Sequence, residues 1–193
     1  MIESFSELVP LHVLPFFSVS FPIQKKKSSL FHTKQYVVPH FKKYLEEESF
    51  AELYASWDEK GIYILAKIHS DPVVEKEFRK GDSVEFFFNT RRSDERTFFT
   101  QYCHHFVFFP EKVDGAFFRE VTRFRTDEVH SLRGEEDLLF QTKSSPKGYF
   151  IDIHFPQAAL HGFAEKKNDL SLSSLEYDPQ KVPHFWAPID FVD

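Results

Sequence analysis

Cysteine is almost missing from this 193-residue sequence: the single Cys103 cannot form an internal disulfide, so nothing in the cysteine usage marks an oxidising compartment. An excess of basic residues is also missing. Lys and Arg number 24 against 30 Asp and Glu, and the net charge of −6 argues against broad binding to a nucleic-acid backbone. No apolar run approaches the ~20 residues needed to span a bilayer as a helix. The N-terminal stretch MIESFSELVPLHVLPFF carries Glu3 and Glu7 where a secretory signal carries Lys or Arg, and Pro10 and Pro15 interrupt its apolar run, so a cytoplasmic location is expected. Glycine is scarce, at 6 residues, and the chain has no Gly-rich phosphate loop and no Gly-x-Ser-x-Gly nucleophile elbow. With 30 carboxylates, almost any acidic pair could be nominated as a glycosidase couple, which gives such a pair no weight. No catalytic residue, and hence no enzyme, is expected.

Phenylalanine is abundant, with 25 residues. Large planar side chains suit a pleated surface and a thick core between sheets, although skewed genomic base composition can also enrich Phe and Lys. The apolar fraction of 41% beside 28% charged residues is enough to bury a core and keep the chain folded. From residue 50 onward the pattern has period two. Residues 50–57 and 62–68 flank the turn former Asp58-Glu59-Lys60-Gly61 and read as a hairpin, with Ile62, Ile64, Ala66 and Ile68 on one face. Residues 83–89, SVEFFFN, place Val84, Phe86 and Phe88 opposite Glu85, Phe87 and Asn89. A long strand over 97–109 is closed by Pro110. In 116–125, Ala116, Phe118 and Glu120 alternate with Phe117, Arg119 and Val121, and Arg119, Arg123 and Arg125 share a face. Residues 137–143 and 148–155 form a second hairpin around Ser144-Ser145-Pro146-Lys147, with Tyr149, Ile151, Ile153 and Phe155 inward and Asp152 and His154 outward.

Weaker strands are expected at 11–23, around 170–177 and over 183–189. Short helical pieces are expected at 40–48 and after Pro156. Together these predict one all-β domain over 1–193: a two-layer antiparallel β-sandwich, immunoglobulin-like or jelly-roll-like, with one or two short helices.

The stretch LYASWDEKGIYILAKIHSD at 53–71, followed after about ten residues by GDSVEFFFN at 81–89, resembles the family 9 carbohydrate-binding modules and the related DOMON-like sandwiches. YFIDIHFPQAAL at 149–160 is similar to that family's penultimate strand and its Phe-Pro step into a short turn. The likeness covers roughly residues 50–160. It implies a non-catalytic module that binds a saccharide or other small polar ligand on one sheet face. The family holds a sugar end between two tryptophans and hydrogen-bonds its hydroxyls through polar groups that include a glutamate. By position the glutamate falls on Glu85, and the tryptophan six residues before it falls on Arg79, whose guanidinium stacks on planar groups.

Around this frame the expected ligand-binding residues are Arg79, Glu85, Asn89, Tyr102, His104, Arg119, Arg123 and Trp186. Trp186, in the Pro-bounded PHFWAP, is the candidate aromatic platform, with cover for a sheet edge as the alternative. Trp57, beside the first hairpin turn, reads more readily as core than as ligand contact. Glu85 has two readings. One is a structural pair with an arginine across the strands from the Arg119–Arg123–Arg125 face; the other is a polar ligand cradle with Asn89 and one or two arginines.

Cys103-His104-His105 invites a metal, but consecutive strand residues face opposite ways, so His104 and His105 do not share one ion. Whether His130, His154, His161 or His184 converges with them is not visible in sequence. No metal and no cofactor is assigned. The alternatives to a saccharide binder are a structural or protein-interaction sandwich with a degenerate sugar site and, less favoured, a metal-dependent enzyme using the Cys103–His105 region. The expected partners are a carbohydrate or small polar ligand or another protein, with neither nucleic acid nor membrane.

Overall fold

The computed structural model describes residues 23–27, 34–39, 50–75, 80–90, 100–121 and 130–163, and the backbone of strands within 171–177, 184–185 and 189–190. Ten strands are described: β1 (Ala51–Asp58), β2 (Gly61–Ile68), β3 (Ser83–Asn89), β4 (Cys103–Val113), β5 (Ala116–Glu120), β6 (Leu139–Ser145), β7 (Gly148–Pro156), β8 (Ser171–Tyr177), β9 (His184–Phe185) and β10 (Ile189–Asp190). They form two antiparallel sheets. One is four-stranded in the order β1-β2-β7-β6; the other is six-stranded, with the path β10-β8-β3-β4-β5 and β9 beside β8. The architecture is an all-β sandwich.

Period-two alternation builds the core. From the four-stranded sheet, Ile62, Ile64, Ala66 and Ile68 of β2 and Ile151, Ile153 and Phe155 of β7 point inward. Val84, Phe86 and Phe88 of β3, Phe106 and Phe108 of β4 and Phe118 of β5 meet them from the six-stranded sheet. Phe86 sits edge-on to Phe108 and Phe155, with ring centroids 5.9 and 6.0 Å apart, and Phe88 packs edge-on to Phe155 at 4.8 Å. Burying each such ring is worth roughly 1.5–3 kcal/mol relative to exposure, and edge-to-face pairing adds about 0.5–1.5 kcal/mol. This phenylalanine layer accounts for much of the Phe excess.

Two glycines let the central strands of the smaller sheet approach. Gly61 has φ +149°, and a Cβ there would lie 2.0 Å from the Phe155 carbonyl oxygen; Gly148 has φ +132° and the same clearance to the Ile68 carbonyl oxygen. Any side chain at either position would push β2 from β7.

Several expected boundaries move. The second hairpin pairs through Ser144 and Ser145, opposite Tyr149 and Gly148, so its turn is Pro146-Lys147 instead of four residues. Pro110 does not close β4. The strand runs on to Val113, and its register with β5 shifts between Phe108 and Val113, an irregularity that accommodates a residue with no N–H to donate. The strand expected over 97–109 begins at Cys103, because Gln101 and Tyr102 form a turn. That expected over 116–125 ends as β5 at Glu120, and residues 122–125 lie outside the described residues.

Of the expected short helices, the one after Pro156 is not an α-helix. The segment after Pro156 is a single 3-10 turn, Gln157–Ala159, and Pro156 is the last residue of β7 and the cap of that turn, not its first helical residue. The 40–48 piece lies outside the described residues, as does the 11–23 strand apart from Ile23. Among the described residues no helix is long and apolar enough to cross a membrane.

Candidate functional site

His104 and His105 follow each other on β4 and face opposite sides, as alternation requires. His104 pairs in register with Phe88 of the inner layer, and His105 with Phe87 of the outer. Each histidine finds a glutamate, and two carboxylate–imidazole assemblies result.

The outer assembly joins β3 to β4. Glu85 Oε2 lies 2.5 Å from His105 Nε2, and the Phe87 ring stacks on the imidazole at 4.0 Å. Of the three arginines expected as partners, Arg119 is not the one, and Arg123 and Arg125 lie outside the described residues. Arg119 donates to the Val113 carbonyl (3.1 Å) and to Asp114 (3.0 Å), folding back onto its own hairpin. Glu85 is closed in, at 4% exposure, and Val107, Phe109 and Val113 on the same side of the sheet form a second buried cluster against which Val121 packs. Asn89 is half-buried at the end of β3, opposite Cys103.

The inner assembly lies at one end of the core, between the sheets. Glu120 of β5 has an unexposed carboxylate whose Oε1 is 2.7 Å from both His104 Nδ1 and His130 Nε2, while its Oε2 accepts the Arg133 backbone N–H at 2.6 Å. Burial by itself pushes this carboxyl up. The hydrogen bonds from His104 and His130, the charge interaction with His104 and the Arg133 N–H together outweigh burial and hold it down at about 2. Burial lowers the pKa of His104, only partly countered by Glu120, and His130 and Arg133 push it the same way as burial.

The proton on His104 can be placed. The His161 backbone N–H donates to His104 Nε2 at 2.9 Å, so that nitrogen carries the lone pair and Nδ1 carries the hydrogen donated to Glu120.

His104, Glu120 and His130 have the residue types of a zinc centre, with ligand atoms mutually within 4.8 Å. The hydrogen bonding is the reverse of such a centre. A metal-bound imidazole donates its second N–H outward, whereas the second nitrogen of His104 accepts. Binding an ion at Nδ1 while Nε2 accepts would leave the ring without a proton. The assembly is that of a buried, hydrogen-bonded carboxylate, and the metal-dependent reading of the Cys103–His105 region finds no support in it.

The expected ligand residues are thus divided. Glu85, Asn89 and Arg119 lie on the outer side of the six-stranded sheet. Tyr102 sits in the turn before β4, half-buried, with its ring stacked on His161 at 5.3 Å. His104 is turned inward with an unexposed side chain, so it cannot share an outer-face site with Glu85. Arg79, Arg123 and Trp186 lie outside the described residues. Trp57 is core-facing: it packs against the main core and its indole N–H donates to the Ile23 carbonyl at 2.9 Å.

Of the other histidines, His130 and His161 join His104. His154 stacks on Tyr63 at 4.2 Å, on the outer side of the other sheet. Glu120, Arg133 and the Glu85–His105 pair were not foreseen. For Glu120 a signal existed, because it alternates in phase with Ala116 and Phe118 and so had to enter the core.

No protein-family model matches the sequence, and no curated protein matches it. Solved structures do. The chain is similar to a family 9 carbohydrate-binding module from Caldicellulosiruptor kristjanssonii, in complex with glucose, with a TM-score of 0.55 and 12% identity over 90% of this chain and 95% of that one. It is also similar to a putative carbohydrate-binding protein from Bacteroides uniformis, with a TM-score of 0.51 and 11% identity over 89% and 98% of the two chains. The chain therefore has the β-sandwich fold seen in family 9 carbohydrate-binding modules.

Proposed function

We propose that this domain is a non-catalytic binding module for a saccharide or similar small polar ligand, held on the outer side of the six-stranded sheet around Glu85. The observation that carries the reading is the fold, shared over nearly the whole length of a module whose solved structure contains glucose. Glu85 adds to it. Its Oε2 is taken by His105, and among the described residues its Oε1 has no partner, which leaves one acceptor for a ligand hydroxyl. Asn89 and Tyr102 stand at the same end of β3 and β4, with Arg119 farther along. Arg79, Arg123 and Trp186 complete the proposed set.

Calorimetric titration and glycan-array screening of the full chain test this. Binding of at least one saccharide, lost in Glu85→Gln without loss of the fold, is expected. No binding to any saccharide or small polar compound overturns it.

The burial of Glu85 and Val107 favours a second reading, a structural or protein-interaction sandwich in which the sugar site has degenerated. It predicts that ligand screens are blank while a stable protein partner is recovered from native lysate and binds the purified chain directly.

A further inference from the structure

The segment that leaves the smaller sheet is fastened to the larger one. After β7, residues 157–163 turn across the end of the sandwich, burying Ala159, Leu160 and Phe163. Both backbone groups of His161 are then held by side chains of the six-stranded sheet or its flank: its N–H by His104 Nε2 at 2.9 Å, its carbonyl by the Thr90 hydroxyl. Arg133 Nε donates to the Ala159 carbonyl at 3.0 Å. Three polar contacts thus clasp a short turn over the buried Glu120 assembly.

We propose that His104 is the pH-sensitive catch of this clasp: a proton added at Nε2 replaces the lone pair that accepts the His161 amide, and the 157–163 turn is released from the six-stranded sheet. The chemistry leaves no other outcome for this ring. Nδ1 already holds a hydrogen directed at Glu120, so the only basic atom of His104 is the one facing His161. Two N–H groups then point at each other, and the amide loses His104 as its acceptor.

The charged and titratable groups around the ring act in both directions. Glu120, from β5, attracts the incoming proton, whereas His130 and Arg133, from the segment before β6, oppose it. His161 itself lies against His130, with ring centroids 6.1 Å apart, and against Tyr102. His130 Nδ1 is buried and has no partner among the described residues. Its Nε2 is committed to Glu120, and the His161 amide donates to His104 instead, so His130 is not part of the catch.

Hydrogen exchange of the full chain at about pH 7.5 and about pH 5, corrected for intrinsic rates, tests the catch. Peptides covering 157–163 should lose protection by about tenfold or more at the lower pH while β7 keeps its own. His104→Gln should reduce that dependence to less than about twofold, and His130→Gln should retain it. Equal protection at both pH values, a loss shared with β7, or pH dependence that survives His104→Gln overturns the proposal. Should His104→Gln fail to fold, imidazole nitrogen resonances of the unaltered chain decide. A hydrogen on Nδ1 at neutral pH, and its conversion to imidazolium in step with loss of the His161 amide, are expected. A hydrogen on Nε2 at neutral pH, or titration out of step with the amide, overturns it.

Discussion

His104 and His105 differ by one position in the chain and by a whole sheet in space, and their two glutamates are used differently. Glu120 receives hydrogen bonds from two imidazoles and a backbone N–H, and it is held ionised inside the core. Glu85 meets one imidazole and keeps an oxygen unengaged among the described residues. The number of donors, not the burial of the carboxylate, separates a charge whose acceptors are consumed by the fold from one that still has an acceptor to offer. Both are closed to solvent. Only the second has spare hydrogen-bonding capacity, which is why the proposed ligand surface is placed on its side of the sheet.

The largest effect should come from the inner assembly. Glu120→Ala takes the shared acceptor from His104, His130 and the Arg133 N–H and should destabilise the domain by about 3–5 kcal/mol, measured as the shift in urea unfolding. A loss under about 1 kcal/mol would erase the contrast between the two glutamates.

Acid unfolding gives the next effect. The folded pKa of Glu120 is depressed from 4.5 to about 2, so its contribution, on the order of 3 kcal/mol, is present above pH 4.5 and is lost as pH falls from there towards 2. The folded pKa of His104 is also lowered, so its contribution is complete above 6.5 and begins to fall below that value. Stability followed from pH 8 to pH 3 should therefore decline in two stages, and Glu120→Gln should remove the lower one.

Glu85→Gln should cost about 1–2 kcal/mol, through the weakened bond to His105, while abolishing saccharide binding. Stability loss as large as for Glu120→Ala would make the outer pair a structural lock as well. Arg119→Ala removes a half-exposed pair with Asp114 and should change stability by less than about 1 kcal/mol. The smallest effect is expected from zinc, which should leave the thermal midpoint unchanged at stoichiometric addition because His104 Nδ1 holds a hydrogen; a clear upward shift would reinstate a metal centre.

The hairpins, β3 and the inward-facing residues were legible because each is a local matter of alternation and turn chemistry. Val84, Phe86 and Phe88 alternate against Glu85, Phe87 and Asn89, and a two-layer fold has to bury the apolar set. Pro110 misled because its missing N–H usually ends a strand, whereas the shift in register between Phe108 and Val113 lets β4 pass through it. That His105 meets Glu85 was hidden from the sequence for a similar reason. Register between strands decides which of several polar residues comes opposite, and only the pairing of Glu85 with Val107 brings His105 to a diagonal position while Arg119 turns to Asp114.

What the chain by itself determined is the class of the fold and the facing of each residue along its strands, since both follow from period two and from a large supply of phenylalanine to bury. Tertiary structure decided the chemistry. Glu120, His104, His130 and His161 are spread over 58 positions of sequence, and their meeting depends on strand order, register and the path of the turn after β7. Those features are set by long-range packing, which no local pattern encodes.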